Sequence, residues 1–360
     1  MRAAFFCVLV DPADDIAGFI LDWIRALAAR LESLEVVVLE DRTAARPVDL
    51  PANVRLHSLG KEKGSGRARL LLASQVALGR ALGRADFLLC HMMPLYALVS
   101  WPLCRLRGRP LFLWYTHQHV DLKLRAAVRL ADRVFTAAPE SMRLATDKKR
   151  VLGHGINTAR FSPGPPDRDG DRLRVVTVGR ISPVKRLEVL IEAAEKLKEM
   201  GELDSFEFKV IGREGTPAQR PYVEGLRARI EAAGLGQAFD LAGHLPYARI
   251  DRAYRAADVF VSTQEQRGLD KAVLEAMASG LPAVVANESF RPLLAGQAEA
   301  LLYPADQPAA LAERLLGLSR LAAAERRRLG LELRERVRAG HDLERFMDRI
   351  LEEARGLVAG

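Results

Sequence analysis

The sequence predicts an α/β protein made of two doubly wound parallel-sheet units, and three observations carry that prediction. Short β-rich runs alternate with helix-length amphipathic runs throughout the chain. The 360 residues exceed one ordinary domain and suit two of about 150–200 residues each. Between the halves, SPGPPDRDGDR (162–172) packs three prolines and two glycines into eleven residues, and the strand–helix alternation restarts after it. The expected division is an N-terminal unit over 1–161, a linker at 162–172, a second unit over 173–338, and a C-terminal helix at 339–360 packing back toward the first unit.

In the first half, strands are expected at Ala4–Val10, Glu35–Leu39, Phe87–His91, Pro110–Tyr115 and Arg133–Ala137. Each is a short run of β-branched, aromatic or leucine side chains bounded by polar residues. Ile16–Leu31 and Ala68–Leu82 carry apolar residues at three- and four-residue steps, the period of a helix lying on a sheet. In the second half the order is strand Leu173–Val178, helix Val184–Met200, strand Glu207–Ile211, helix Tyr222–Ala233 and strand Phe239–Leu241. Strand Val259–Ser262, helix Asp270–Ser279 and strand Ala283–Ala286 follow. Two such halves imply a cleft, with ligands outside the C-terminal ends of the strands.

Apolar residues make up 49% of the chain and charged residues 28%, the balance of a folded globular protein. The net charge of +8 is uneven: residues 1–160 hold 24 Lys/Arg against 15 Asp/Glu, whereas the remainder is nearly neutral. A basic first half suits an anionic partner, such as a phosphorylated acceptor or an anionic lipid surface. No helix-turn-helix or aromatic-interleaved basic motif supports nucleic acid. Cys7, Cys90 and Cys104 sit far apart in apolar runs and read as core thiols of a reducing compartment. Phe87–Cys104 lacks charged side chains, but Pro94 and Pro102 make strand, loop and buried helix the better reading than a membrane span. No His-Glu-x-x-His spacing, Gly-Lys-Ser/Thr phosphate loop, Gly-x-Ser-x-Gly or Gly-x-Gly-x-x-Gly appears. Zinc hydrolase, P-loop ATPase, serine hydrolase and dinucleotide dehydrogenase readings therefore lose their main support.

Two segments concentrate polar chemistry. In VVTVGRISPVKRLEVLIEA (175–193) a buried strand runs through a glycine to Arg180, a Ser182-Pro183 turn and Lys185. Ser182 is expected to cap the following helix, with Lys185 at its start, so that two cations and helix N–H groups face a diphosphate. In GLDKAVLEAMASGLPAVV (268–285), Glu275 lies in an otherwise apolar helix that Gly280 ends and Pro282 follows. An acid among Val273, Leu274 and Met277 serves either an ion pair or a ligand, such as the two hydroxyls of a ribose.

Taken together, VGRISPVKRLEVLIEA, FKVIGREG, LAGHLPYARIDRAYRAADVFVS and VLEAMASGLPAVV resemble, in order and spacing, the retaining glycosyltransferases of family 4, which have the GT-B fold. That resemblance implies two Rossmann-like domains facing a central cleft. It implies that Arg180 and Lys185 neutralise the diphosphate of a UDP-, GDP- or ADP-linked sugar and that Glu275 holds the ribose. Gly268, Leu269, Asp270 and Lys271 would turn backbone N–H groups toward phosphate or sugar. Gly212 would leave room for the nucleotide, and Gly243, His244 and Leu245 would lie near the base. In the first half, Gly18 corresponds to the glycine-containing loop after the first strand, and His117 to the histidine that reaches the transferred sugar. Arg267 stands where the family commonly has a second glutamate, and the paired glycines of the first loop are missing.

The expected reaction is metal-independent, cofactor-free transfer of a hexosyl group, with retention, to a hydroxyl of a glycan or lipid-linked acceptor. The expected place is the cytoplasm, with peripheral contact at the inner face of an anionic membrane. A sugar-nucleotide epimerase on the same scaffold and a non-catalytic sugar-nucleotide-binding partner are the rival readings.

Overall fold

The computed structural model describes residues 1–14, 17–165 and 172–358. Ile16, the expected first residue of helix 16–31, and residues 166–171 of the expected linker lie outside this set. The chain divides into two compact units, one of residues 1–155 with 246–248 and 341–360, the other of residues 156–245 with 249–340.

The first unit runs β1 (Arg2–Val10), α1 (Ile20–Ala28), β2 (Ser33–Asp41), β3 (Val54–Ser58), α2 (Arg67–Leu82), β4 (Phe87–His91), α3 (Pro94–Leu106) and β5 (Leu111–Trp114). It continues with α4 (Leu122–Leu130), β6 (Arg133–Thr136) and β7 (Lys149–Val151). The seven strands form a parallel sheet in the order β3-β2-β1-β4-β5-β6-β7. The winding direction reverses between β1 and β4. Alternation along β1 sends Ala3, Phe5 and Cys7 into one core layer and Ala4 and Phe6 into the other, as a central strand covered on both faces requires. On one face lies α1, whose Ile20, Leu21, Trp23, Ile24 and Leu27 are buried. The helices α2, α3 and α4 supply the opposite layer, with Leu78, Leu82, Ala97 and Leu124 fully covered.

The second unit runs β8 (Leu173–Val178), α5 (Leu187–Glu199), β9 (Phe206–Ile211), α6 (Arg220–Ala232), β10 (Phe239–Gly243), α7 (Ile250–Arg255), β11 (Val259–Ser262) and α8 (Lys271–Ala278). Then come β12 (Ala283–Val285), α9 (Ala298–Leu301), α10 (Pro308–Ser319) and α11 (Ala323–His341). Its parallel sheet has the order β10-β9-β8-β11-β12, so the winding reverses between β8 and β11. Both units are thus doubly wound α/β sheets. The last helix, α12 (Leu343–Val358), belongs to the first unit. Its Phe346 packs against Trp23 and Trp114, and Glu344 and Asp348 each meet Arg30 at 2.6 Å.

Strands β3 and β7 were not expected from the sequence. Both are edge strands of short, half-exposed, mixed polarity, without the apolar signature of the buried ones. The uncharged stretch at residues 87–104 becomes β4 and most of α3, and no helix among the described residues is long and apolar enough to cross a membrane. All three cysteines are buried and unpaired in the first unit.

Candidate functional site

The C-terminal ends of β8, β9 and β11 bring together chemistry from distant segments of the second unit. Open α/β sheets hold their ligands where strand order reverses, and here that point lies between β8 and β11. After β8 the chain passes Gly179 and Arg180, then makes a single 3-10 turn, Pro183–Lys185. After β11 it passes Thr263 and reaches Asp270, which caps α8 by accepting from the Ala272 N–H at 3.1 Å. The two loops are tied directly. Lys185 Nζ meets Asp270 Oδ2 at 2.5 Å, and the Thr263 hydroxyl donates to the Lys185 carbonyl at 2.5 Å.

Backbone crowding under Lys185 explains the glycines. Gly179 donates to the Ile211 carbonyl at 2.9 Å and Gly212 to the Gly243 carbonyl at 2.8 Å, so three strand ends stay in contact past the sheet. Gly212 has φ +155°, and a Cβ there would stand 1.8 Å from the Gly179 carbonyl oxygen. No side chain fits that gap. Gly179, at φ +141°, lies beneath Lys185, whose Cε would be 3.2 Å from an added Cβ. Arg180 is exposed and lays its aliphatic stem along Gly215, where a Cβ would be 2.9 Å from Arg180 Cδ. A small pocket opens beside these groups, lined by Thr177, Gly179, Arg180, Lys185 and Leu187. Two cations over glycine backbone at a sheet's C-terminal edge are suited to an anion.

Two expectations for this segment are corrected. Ser182 makes no side-chain cap, and Lys185 is not at the start of the long helix. The α-helix begins at Leu187, after Arg186 has turned into the left-handed region at φ +53°. Pro183 lacks an N–H and sets its φ for a tight turn, and Arg186 breaks the turn from α5. Arg186 is held there by Glu265 at 3.1 Å and by Asp306. Lys185 consequently sits on a loop apex, steered by Thr263 and Asp270 rather than by helix geometry.

Glu275 is buried, as its helix position requires, with 5% of its surface exposed. The Tyr254 hydroxyl, from α7, donates to Glu275 Oε2 at 3.3 Å. Burial pushes the Tyr254 phenol well above its ordinary pKa, with the nearby Glu275 and Asp270 adding to the shift, so it stays a donor at any ordinary pH. Gly280 ends the helix in the left-handed region at φ +79°, as read from the sequence.

In the loop Gly268–Lys271, Gly268 departs from expectation. The Gly268 N–H does not face outward: it donates to the Ser289 hydroxyl oxygen at 3.0 Å. Asn287, buried at the end of β12, donates from Nδ2 to the Gln266 and Gly268 carbonyls, both at 2.7 Å, and accepts from the Ser289 N–H at 2.9 Å. Asn287 and Ser289 thereby hold the loop's shape. Neither was singled out in the sequence; the available signal was an Asn-x-Ser following a buried strand at the same sheet edge. Leu269 and Lys271 are half-buried, Arg267 is exposed, and Lys271 is the first residue of α8. At the neighbouring strand, Gly243 closes β10 at φ +74°, with His244 exposed and Leu245 half-buried.

The two first-unit residues lie at the C-terminal edge of their own sheet. Gly18 is buried in the turn before α1, where a Cβ would come 2.5 Å from the Asp14 carbonyl. His117 follows β5 and is exposed; its Nδ1 accepts from the His119 N–H at 3.0 Å, so neutral His117 carries its proton on Nε2. Next to β1, Asp11 is buried and takes Arg46 at 3.0 Å and Arg42 at 3.5 Å. A roomier pocket of about 340 Å³ opens at the opposite, N-terminal edge of the second sheet. Its arginines are already engaged: Arg174 pairs with Asp258 at 2.8 Å, and Arg326 and Arg327 bond main-chain carbonyls. Chemistry, not room, marks the site at the other edge. No cluster of metal-ligating side chains occurs among the described residues.

Residues 160–336 match the family described as Glycosyl transferases group 1. The putative colanic acid biosynthesis glycosyltransferase WcaL of Escherichia coli K12 is 29% identical over 231 residues, covering 62% of this chain and 55% of WcaL. The amylovoran biosynthesis glycosyltransferase AmsK of Erwinia amylovora is 32% identical over 186 residues, covering 50% of this chain and 44% of AmsK. The chain thus spans about half the length of these curated relatives. Among solved structures, Anabaena Alr3699/HepE in complex with UDP-glucose superposes with a TM-score of 0.78 at 17% identity, over 99% of this chain and 100% of that one. Sucrose-phosphate synthase from Thermosynechococcus elongatus gives 0.76 at 21%, with 99% of each chain covered. The two doubly wound parallel-sheet units are those of the GT-B fold. Over residues 160–336, which hold the whole cluster around Lys185 and Asp270, this chain is similar to the glycosyl transferases of group 1.

Proposed function

We propose that the chain is a retaining hexosyltransferase of the family 4 type, taking its donor as a nucleoside-diphosphate sugar. The observation that carries this reading is the convergence of Arg180, Lys185 and Asp270 over the Gly179–Gly212 backbone contact, at the switch point of the second sheet. Cleaving the sugar–phosphate bond leaves negative charge on the departing diphosphate. Fixed cations stabilise that charge most when it is fully developed, which lowers the barrier rather than merely tightening binding. Arg180 and Lys185 fill this role, and the mechanism assigns none to a metal or other cofactor. Glu275 accepts from the ribose hydroxyls, with Tyr254 holding one of its oxygens. Gly212, Gly243, His244 and Leu245 border the nucleotide. Leu269, Asp270 and Lys271 face the phosphate or sugar from a loop that Asn287 and Ser289 keep in place. Gly18 and the Nε2–H of His117, at the sheet edge of the first unit, keep the sugar-binding role that the family resemblance implies. The leaving phosphate takes the acceptor's proton.

The acceptor fits a growing glycan or a lipid-linked saccharide, handled in the cytoplasm at the membrane's inner face. Support comes from the basic first half and from relatives named for colanic acid and amylovoran biosynthesis.

The test begins with thermal-shift screening of UDP-, GDP- and ADP-sugars, because a ligand of the native state raises its stability. With the donor in hand, Arg180→Ala and Lys185→Ala lower turnover at least 100-fold, and Glu275→Ala mainly weakens nucleotide binding. Near-normal transfer by both cation variants overturns the assignment. Nucleotide binding without transfer to any of a panel of glycan and lipid-linked acceptors identifies a non-catalytic binding partner instead.

A further inference from the structure

The pocket of about 340 Å³ at the N-terminal edge of the second sheet holds more positive charge than its neighbours cancel. The described residues lining it include Arg172, Arg174, Arg255, Arg320, Arg326 and Arg327, against two acids, Glu202 and Asp258. Arg174 and Asp258 pair at 2.8 Å, and Arg320 reaches Glu202 at 3.4 Å. Arg172 and Arg255 find acids outside the lining, Glu207 at 3.8 Å and Asp251 at 3.4 Å. Arg326 and Arg327 differ from these four. Both are half-buried, and among the described residues neither makes an ion pair.

Their partners are main-chain carbonyls. Arg326 Nη1 donates to those of Leu318 at 3.2 Å and Ser319 at 3.4 Å, and to that of Leu321; Arg327 Nη1 donates to that of Gly164 at 3.2 Å. A carbonyl orients a guanidinium without cancelling its charge. Among the described residues only Nη1 of each is used, so the Nε–Nη2 edge is left over. That edge carries the two parallel N–H groups that grip a phosphate bidentately. Ala323, the first residue of the 19-residue helix α11, also lines the pocket, so the positive end of that helix adds to the field.

The rest of the lining bears on what the phosphate is attached to. The volume lies at the lower end for small-molecule pockets and leaves room beyond a phosphate. Tyr254 is the one aromatic residue among the described lining, and it is fully buried, so no ring face is open for a base to stack on. Glu202, Ser205 and Ser319 border the pocket with oxygen atoms that accept from hydroxyl groups. We propose that this pocket is a second ligand site of the unit, taking a phosphorylated monosaccharide by its phosphate through Arg326 and Arg327. It lies at the opposite sheet edge from Arg180 and Lys185 and stands independently of the donor assignment.

Calorimetric titration of the whole chain with glucose 6-phosphate tests it, with glucose and inorganic phosphate as controls. The sugar phosphate should bind at one site and more weakly as salt is added. Glucose should give no heat, and inorganic phosphate should bind about ten-fold more weakly, the worth of a hydrogen bond or two to the sugar. R326Q/R327Q should weaken binding about a hundred-fold, roughly ten-fold for each charge-assisted pair lost. Because Arg326 also ties the end of α10 to α11, R320E gives an independent reading. Arg320 is 68% exposed, so reversing its charge spares the core and should weaken binding about ten-fold. Lys185→Ala, at the other edge, should change it by less than about two-fold. Circular dichroism confirms folding of the variants. No binding at about 10 mM sugar phosphate, or equal affinity of the wild type, R326Q/R327Q and R320E, overturns the proposal. So does loss of binding in Lys185→Ala alone, which would put the phosphate at the donor site. Inorganic phosphate binding as tightly as glucose 6-phosphate would overturn the sugar assignment and leave a bare-anion site.

Discussion

Lys185 and Asp270, 85 positions apart in sequence, meet at 2.5 Å across the switch point of the second sheet. Their pairing places a cation at the expected diphosphate position with its charge already balanced. A bound diphosphate would share Lys185 with Asp270 and be repelled by the carboxylate. Asp270→Asn separates these effects, because asparagine still caps α8 while losing the charge. We expect nucleoside diphosphate alone to bind three- to ten-fold more tightly to this variant, and turnover to fall because Lys185 loses its anchor. Calorimetric titration beside initial rates reads both; weaker diphosphate binding would show that Asp270 is not an opposing charge.

Gly212→Ala introduces a Cβ at 1.8 Å from the Gly179 carbonyl oxygen, at a φ of +155°. Backbone cannot yield as a flexible side chain does, so β8 and β9 must part at the site. The expected cost is about 3 kcal/mol, with nucleotide binding lost. Urea denaturation and thermal shift measure the two. A variant that keeps wild-type stability would show that the two strand ends are not held together as described.

Asn287→Ala deletes two donors to the Gln266 and Gly268 carbonyls. These carbonyls are only part-buried and partly regain water, so the expected cost is about 1–2 kcal/mol in total, concentrated in this loop. Hydrogen exchange should quicken at the Gly268 and Leu269 amides while β8 and β11 keep their protection. Nucleotide affinity should drop about ten-fold. Unchanged exchange in the loop would show that Asn287 does not position it.

His341 connects α11 to α12 and is buried in the first unit, where desolvation and then Arg349 lower its pKa from 6.5 to about 4. The unfolded chain binds this proton near pH 6.5 and the folded unit refuses it, so the associated stability is complete above pH 6.5. It is lost as the pH falls toward 4, by up to roughly 3 kcal/mol. All three tryptophans, Trp23, Trp101 and Trp114, are in the first unit, so fluorescence-monitored urea unfolding follows it selectively. His341→Gln should flatten the stability profile between pH 6.5 and 4; an unchanged slope assigns the dependence elsewhere.

What the sequence determined by itself was local. Periods of two and of three to four residues show which segments lie on a sheet and which cover it, and strands 87–91, 173–178 and 259–262 are read to the residue. Glu275 stands out because an acid on an apolar helix is costly without a partner, and Gly280 because few residues tolerate its left-handed turn. Edge strands β3 and β7 escape because one of their sides has no neighbouring strand and little apolar surface to bury. Tertiary structure alone decided the rest. Strand order puts β8 beside β11, which makes neighbours of Lys185 and Asp270. The return of the chain through β12 brings Asn287 and Ser289 under the 266–268 loop. The same packing lifts Lys185 off the helix, since Arg186 turns left-handed to meet Glu265 and Asp306. Periodicity records what one segment buries against its surroundings. Which distant segment supplies the partner is a property of the assembled sheet.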